Sequence, residues 1–213
     1  MRNTTFVTRR RLVLGASIAA LVGVGVGVST AGGGNTSSVP GIAAYERARV
    51  SSDALPATEV AARVAGALDL AADASRTLVV GPGGRRVVVA PISSGGACLL
   101  VIGDTDGNVP GLCSHGTSSV FEQQGEAIAV VVRSEGDPEA PDLIEVAGAV
   151  RDGAGVAAVR VDLAGSSRTV APTADGGFLL ELGADALGGA AGVDAVVALD
   201  GSGVELAGYT PAP

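Results

Sequence analysis

Arg85-Arg86-Val87-Val88-Val89-Ala90-Pro91-Ile92-Ser93-Ser94-Gly95-Gly96-Ala97-Cys98-Leu99-Leu100-Val101-Ile102 is the stretch whose reading decides the fold. Two runs rich in Val, Leu and Ile flank a Ser-Ser-Gly turn, which is the pattern of a β-hairpin. A third run, Thr77–Gly81, precedes them across Pro82-Gly83-Gly84, a second turn signal. Upstream, Val60, Val64 and Leu68 recur at four-residue steps, and Glu59 stands four residues before Arg63 in the favourable order. A short helix is predicted from about Pro56 to Asp73, opened by the proline, with its apolar stripe laid on the sheet. Ser119 and Glu122 have the spacing to cap one helical turn, ended by Gly125 before another strand from Glu126 to Arg133. Residues 42–136 therefore read as a small α+β unit.

Asp137-Pro138-Glu139-Ala140-Pro141-Asp142 holds two prolines and one small apolar residue, the composition of a linker. Beyond it the helix signal mostly stops. Leu143–Val150, Val156–Leu163, Thr169–Thr173, Phe178–Leu182, Val193–Leu199 and Val204–Tyr209 are strand-like runs, separated by turns such as Asp152-Gly153 and Asp200-Gly201. Short strands at regular spacing with Gly turns predict a β-sandwich over residues 143–213, and residues 185–192 suit a short turn of helix. The expected fold is mostly β with one N-terminal transmembrane or signal helix: a small α+β unit, then a β-sandwich.

The N-terminus carries Arg2, Arg9, Arg10 and Arg11 and no acid, and Leu12 to Ala31 is twenty residues without a charge. As a helix that run is long enough to cross roughly 30 Å of hydrocarbon. Basic residues before an apolar run hold that end inside, which places the C-terminal part outside. Two readings stand side by side for residues 1–31. One is a retained single-pass anchor through residues 12–31. The other is a signal peptide cleaved after Ser29-Thr30-Ala31, which releases a secreted protein. Thr8-Arg9-Arg10-Arg11-Leu12-Val13 also resembles a twin-arginine leader, although arginine there equally supplies the inside charge. Residues 32–41, rich in Gly, Ser, Thr and Asn, read as a flexible tether.

Past residue 31, ten Arg against twenty-two acids leave a net charge of −12, and no Lys is present. That charge, with no basic stripe, argues against nucleic acid and against anionic lipid surfaces. Beyond the leader the aromatic residues are Tyr45, Phe121, Phe178 and Tyr209. Sugar clefts, aromatic cages and base-stacking platforms all need flat aromatic faces, so those classes are disfavoured.

Gly148-Ala149-Val150-Arg151-Asp152-Gly153, Val159-Arg160-Val161 and Ala174-Asp175-Gly176-Gly177-Phe178-Leu179-Leu180 resemble the small immunoglobulin-like or carboxypeptidase-regulatory-like sandwiches of bacterial surface proteins. The resemblance covers about seventy residues. The layout of leader, Cys pair and terminal sandwich, with a composition rich in Ala, Gly, Val and Arg, resembles exported or membrane-anchored proteins of high-GC Gram-positive bacteria. It implies a fold and a location, and carries no activity.

Cys98 and Cys113 are the two cysteines of the chain, and in an oxidising compartment such a pair reads as a disulfide. The turn at Asp106-Gly107-Asn108 would return Val109–Cys113 antiparallel to the strand that Cys98 begins. Zinc would want four ligands, and His115 is the one other soft donor. Asp104-Thr105-Asp106-Gly107-Asn108 resembles part of a calcium loop, but Gly falls at position 4 and His115 at position 12, so a tight turn fits better. Ser94-Gly95-Gly96-Ala97-Cys98 resembles the nucleophile loop of trypsin-like proteases; yet the single histidine follows the serine, whereas that family places it before. Gly81-Pro82-Gly83-Gly84-Arg85 lacks the Lys-Ser/Thr of a phosphate loop. No catalytic, cofactor-binding or metal-binding set is assigned. The expected function is that of a non-enzymatic envelope protein, tethered or secreted, contacting another envelope protein or the cell wall. The alternative is a small secreted hydrolase whose Asp and Glu residues converge only in three dimensions.

Overall fold

The computed structural model describes residues 38–103, 109–122, 124 and 126–211. The expected leader at 1–31 and the Asp104–Asn108 turn lie outside the described residues. Among the described residues no helix is long and apolar enough to cross a membrane. The described residues belong to one compact unit.

Eleven strands in the described residues build three antiparallel sheets. The first sheet is β1 (Arg76–Val80), β2 (Arg86–Pro91), β3 (Ala97–Ile102) and β4 (Gly111–Cys113), in that spatial order. The middle sheet has the order β5 (Ile128–Asp137), β6 (Ala140–Val150) and β9 (Gly177–Gly183). In the third sheet, β7 (Ala158–Leu163) has β8 (Ser166–Val170) on one side. On its other side lie β10 (Val193–Leu199) and then β11 (Glu205–Tyr209).

Period-two alternation assigns each sheet's faces. On β6, Ala147 and Ala149 point to one side, where they join Val87, Val89, Leu99, Val101 and Phe121 in a first core. Ile144 and Val146 point to the other side and join Val159, Val161, Val196 and Phe178 in a second. The middle sheet is therefore covered on both faces, which explains why its strands read as nearly continuous apolar runs. Gly148 sits directly opposite Phe178 in the β6–β9 register, and a Cβ there would lie 2.4 Å from the ring's Cζ. The missing side chain is what lets that ring lie on the strand.

The far face of the first sheet carries a third core. Val88, Ala90, Cys98 and Leu100 meet Ala61 and Val64 of α1 (Glu59–Ala67). The helix is shorter than the predicted 56–73. Thr58 caps it, accepting the N–H of Ala61 at 3.2 Å, so Pro56 stands before the helix rather than in its first turn. The other end closes at Leu68, and Asp69 at φ 51° turns Leu70 back to bridge Ile92. Ser119 caps a turn, as expected, through Phe121 N–H to its Oγ at 3.3 Å. Residues 184–187 form the short helix α2.

Two boundaries differ from the sequence reading. Residues 137–142, expected as a linker, are the tip of the long β5–β6 hairpin, where Glu139 N–H bonds Asp137 Oδ1 at 2.8 Å. The polar, proline-bearing composition of a linker is also that of a tight projecting turn. Strand β5, placed in the first unit by sequence, pairs along its length with β6, so the middle sheet takes strands from both sides of the expected division. The expected tether at 32–41 also runs too far: Val39 is buried in the first core, and Gly41 C=O accepts the N–H of Asp152 at 2.8 Å.

Candidate functional site

Cys98 and Cys113 are directly paired on β3 and β4, with Cα atoms 4.1 Å apart and sulfurs at disulfide distance, 2.06 Å. Strand β4 is three residues long, too few ladder bonds to hold an outer strand alone, and the covalent link fixes it to the sheet. His115 is exposed two residues on. Gly95 and Gly96 of the β2–β3 turn approach the backbone of Ser114–Gly116, which brings the Ser94 turn beside the His115 turn. No hydrogen bond joins Ser94 to His115 among the described residues. Nor do three or more His, Cys, Asp or Glu side chains gather there with metal-ligand geometry.

The polar chemistry lies elsewhere, at two junctions between layers. The first is built by the segment that runs over the outer side of β1. Arg47 donates from Nε and Nη2 to both oxygens of Asp175, at 2.7 and 2.8 Å. Its Nη1 and Nη2 donate to both oxygens of Asp53, again at 2.7 and 2.8 Å. Such paired forks fit the planar guanidinium to two carboxylates at once. Asp53 is buried and also accepts the N–H groups of Val50 and Thr77, at 2.8 and 3.4 Å. Burial pushes its carboxyl up, but the hydrogen bonds from Arg47 and the backbone outweigh this and hold its pKa at about 2. Asp175 belongs to the β8–β9 connection, whose Thr173 Oγ donates to Leu78 C=O at 2.7 Å and accepts Gly177 N–H at 3.1 Å. One arginine thus ties the N-terminal segment to a turn 128 residues away.

Beside this junction runs a groove of about 390 Å³ between β1 residues Thr77–Val80 and the Thr173–Asp175 turn. A second groove, about 380 Å³, lies on the other side of that turn, against Arg151–Ala157. Both are shallow surface depressions.

The second junction lies under the β1–β2 loop. Glu145 stands at the centre of β6, flanked in register by Arg133 on β5 and Glu181 on β9. Arg85, from the loop, donates Nη1 to Glu145 Oε2 at 2.6 Å and reaches Glu135 at 3.4 Å and Glu181 at 3.5 Å. Arg133 pairs with Glu135 at 2.5 Å. Glu145 is 1% exposed, and its Oε1 has no hydrogen-bond partner. Burial raises its pKa above the ordinary glutamate value, opposed by Arg85 and Arg133 and reinforced by Glu181.

Sequence reasoning assigned no role to Arg47, Asp53, Asp175, Arg85 or Glu145. Asp175 gave no signal because its partner Arg47 is 128 residues away, and Arg47 and Asp53, though six residues apart, lie in a segment with no helical or strand periodicity. Glu145 did leave one: an acid at an inward position of an apolar strand. Set against known proteins, the chain matches no protein-family model, no curated protein and no solved structure.

Proposed function

We propose that the chain is a non-enzymatic envelope protein, tethered to the membrane or secreted, whose folded body serves as a protein-interaction or structural module outside the membrane. Residues 128–209 are best read as an immunoglobulin-like sandwich that starts one strand earlier than sequence suggested. The orders β5-β6-β9 and β11-β10-β7-β8 support that reading, with chain crossovers between the sheets as in Greek-key sandwiches. The first sheet and α1 are added to its outer face.

The observation that carries the interaction reading is where large apolar side chains meet water. Among the described residues, Val80 lies on β1 and Leu206 on β11, each an outer strand of its sheet, with Val50 and Val204 also exposed. Outer strands that keep aliphatic side chains in solvent are the surfaces a partner strand or loop would cover. Glu145 and Glu181, which face each other on neighbouring strands, lie under Arg85 and line neither groove.

Alkaline phosphatase fused after Pro213 tests the location: activity is expected, and a full-length inactive fusion would reverse it. A photo-crosslinking residue at Val80 or Leu206 in intact cells should give a discrete protein or wall adduct. The same residue at exposed Thr169 on β8 should not. Absence of adducts from Val80 and Leu206, together with hydrolysis of an ester, glycoside or peptide that Glu145→Gln abolishes, would establish the hydrolase instead.

A further inference from the structure

Three carboxylates and two guanidinium groups meet where the β1–β2 loop crosses the middle sheet: Glu135, Glu145 and Glu181 with Arg85 and Arg133. Among the described residues they come from the loop, β5, β6 and β9. Among these described groups the carboxylates outnumber the guanidinium groups by one. The carboxylates differ sharply in access to water: the side chain of Glu135 is 39% exposed and that of Glu181 23%, against 2% for Glu145. Glu145 Oε2 is held by Arg85, while Oε1 is buried with nothing to donate to it. An ionised oxygen in that position carries charge without a donor and without solvent, which is costly. A proton on it removes the charge.

We propose that Glu145 is a proton-binding site and that its protonation stabilises the fold at the junction between the first and middle sheets, so that the body is held more firmly in acidic than in neutral surroundings. The proton on Oε1 removes the charge from the most buried of the three carboxylates. Arg85 then remains between Glu135 and Glu181, which it already approaches at 3.4 and 3.5 Å, and keeps the loop clamped over β6. Loss of the proton returns charge to the buried Oε1, which has no donor among the described residues. The direction of the effect follows from the raised pKa in the fold: stability grows as pH falls through the folded value and levels off below the ordinary glutamate value of 4.5. For an exported protein the medium's pH reaches this junction directly.

Urea unfolding of the full chain between pH 8 and pH 5 tests the proposal. In the wild type the unfolding constant should fall as the pH is lowered, by at most about tenfold per pH unit for one proton. Glu145→Gln should remove that slope and be at least as stable as wild type at pH 8. His115→Asn should keep the slope. Should Glu145→Gln fail to fold, ¹³C NMR of glutamate carboxyls in the wild type gives a second measurement. One resonance should titrate above the ordinary range and persist in Glu135→Gln and Glu181→Gln. A flat wild-type profile, a slope lost in His115→Asn, or a shifted resonance that vanishes only in Glu181→Gln would overturn the assignment.

Discussion

Val89 and Val161 lie in different outer sheets, one in each of the two cores that share the middle sheet, and both are fully buried. Truncating either to Ala deletes two methyl groups, worth roughly 1.6 kcal/mol of transfer energy, and leaves a small cavity, for about 2–3 kcal/mol in all. In a body of this size that lowers Tm by about 5–10 °C. The chain has no Trp, and its two tyrosines are divided between the cores: Tyr45 packs on the first and Tyr209 on the second. Tyr209→Phe and Tyr45→Phe backgrounds therefore give one fluorescent reporter per core. Because β5, β6 and β9 line both cores, Val89→Ala should shift the Tyr209 transition as far as the Tyr45 transition, and Val161→Ala should do the same. The refuting result is selective: a Val89→Ala variant that moves the Tyr45 midpoint and leaves Tyr209 untouched. That would make the two cores independent folding units and restore the division near residue 137.

Cys98→Ser should cost about 3 kcal/mol under oxidising conditions, as expected for a closed loop of 15-residue separation, and should expose Cys113 to alkylation; wild-type protein should take up no label before reduction. Asp53, with its depressed pKa, stabilises the fold fully above the ordinary aspartate value of 3.8, and this contribution of about 2 kcal/mol is lost as pH falls toward 2. Asp53→Asn should be less stable than wild type at pH 7, and the gap should close over that window. Gly177→Ala would place a Cβ 2.5 Å from Leu78 Cβ and 2.7 Å from its carbonyl carbon, separating the start of β9 from β1. Overpacking of that kind costs about 1–3 kcal/mol, readable as a lower urea midpoint.

Local order was legible because it is written locally. The runs around Val87–Val89 and Leu99–Val101 and the glycine turns between them located β2 and β3 within a residue or two, and the even cysteine pair identified the bond between Cys98 and Cys113. What escaped was pairing over distance. Nothing near Ile128–Arg133 distinguishes an edge strand of the first unit from the opening strand of a sandwich; the distinction is made by β6, which supplies a Val/Ile face to one neighbour and an Ala face to the other. The segment Ile42–Asp53 showed no periodicity because it is shaped by two short 3₁₀ turns, and by one arginine whose second partner is Asp175. Charge composition gave the excess of acid correctly, but could not say which carboxylates are withdrawn from water.

The covalent link across β3 and β4 also bears on how the body responds to force. For a protein held at its N-terminal side and engaged at a distant surface, pulling loads the chain end to end. Residues between Cys98 and Cys113 lie outside that path, because tension passes through the sulfur bridge instead. With a separation of 15 residues at about 3.4 Å each, some ~50 Å of chain is withheld from extension. The first sheet can then be torn from its neighbours while its two last strands stay joined, so that relaxation starts from a hairpin already in register. Reduction would return that hidden length to the polymer and lengthen the fully stretched molecule by the same amount.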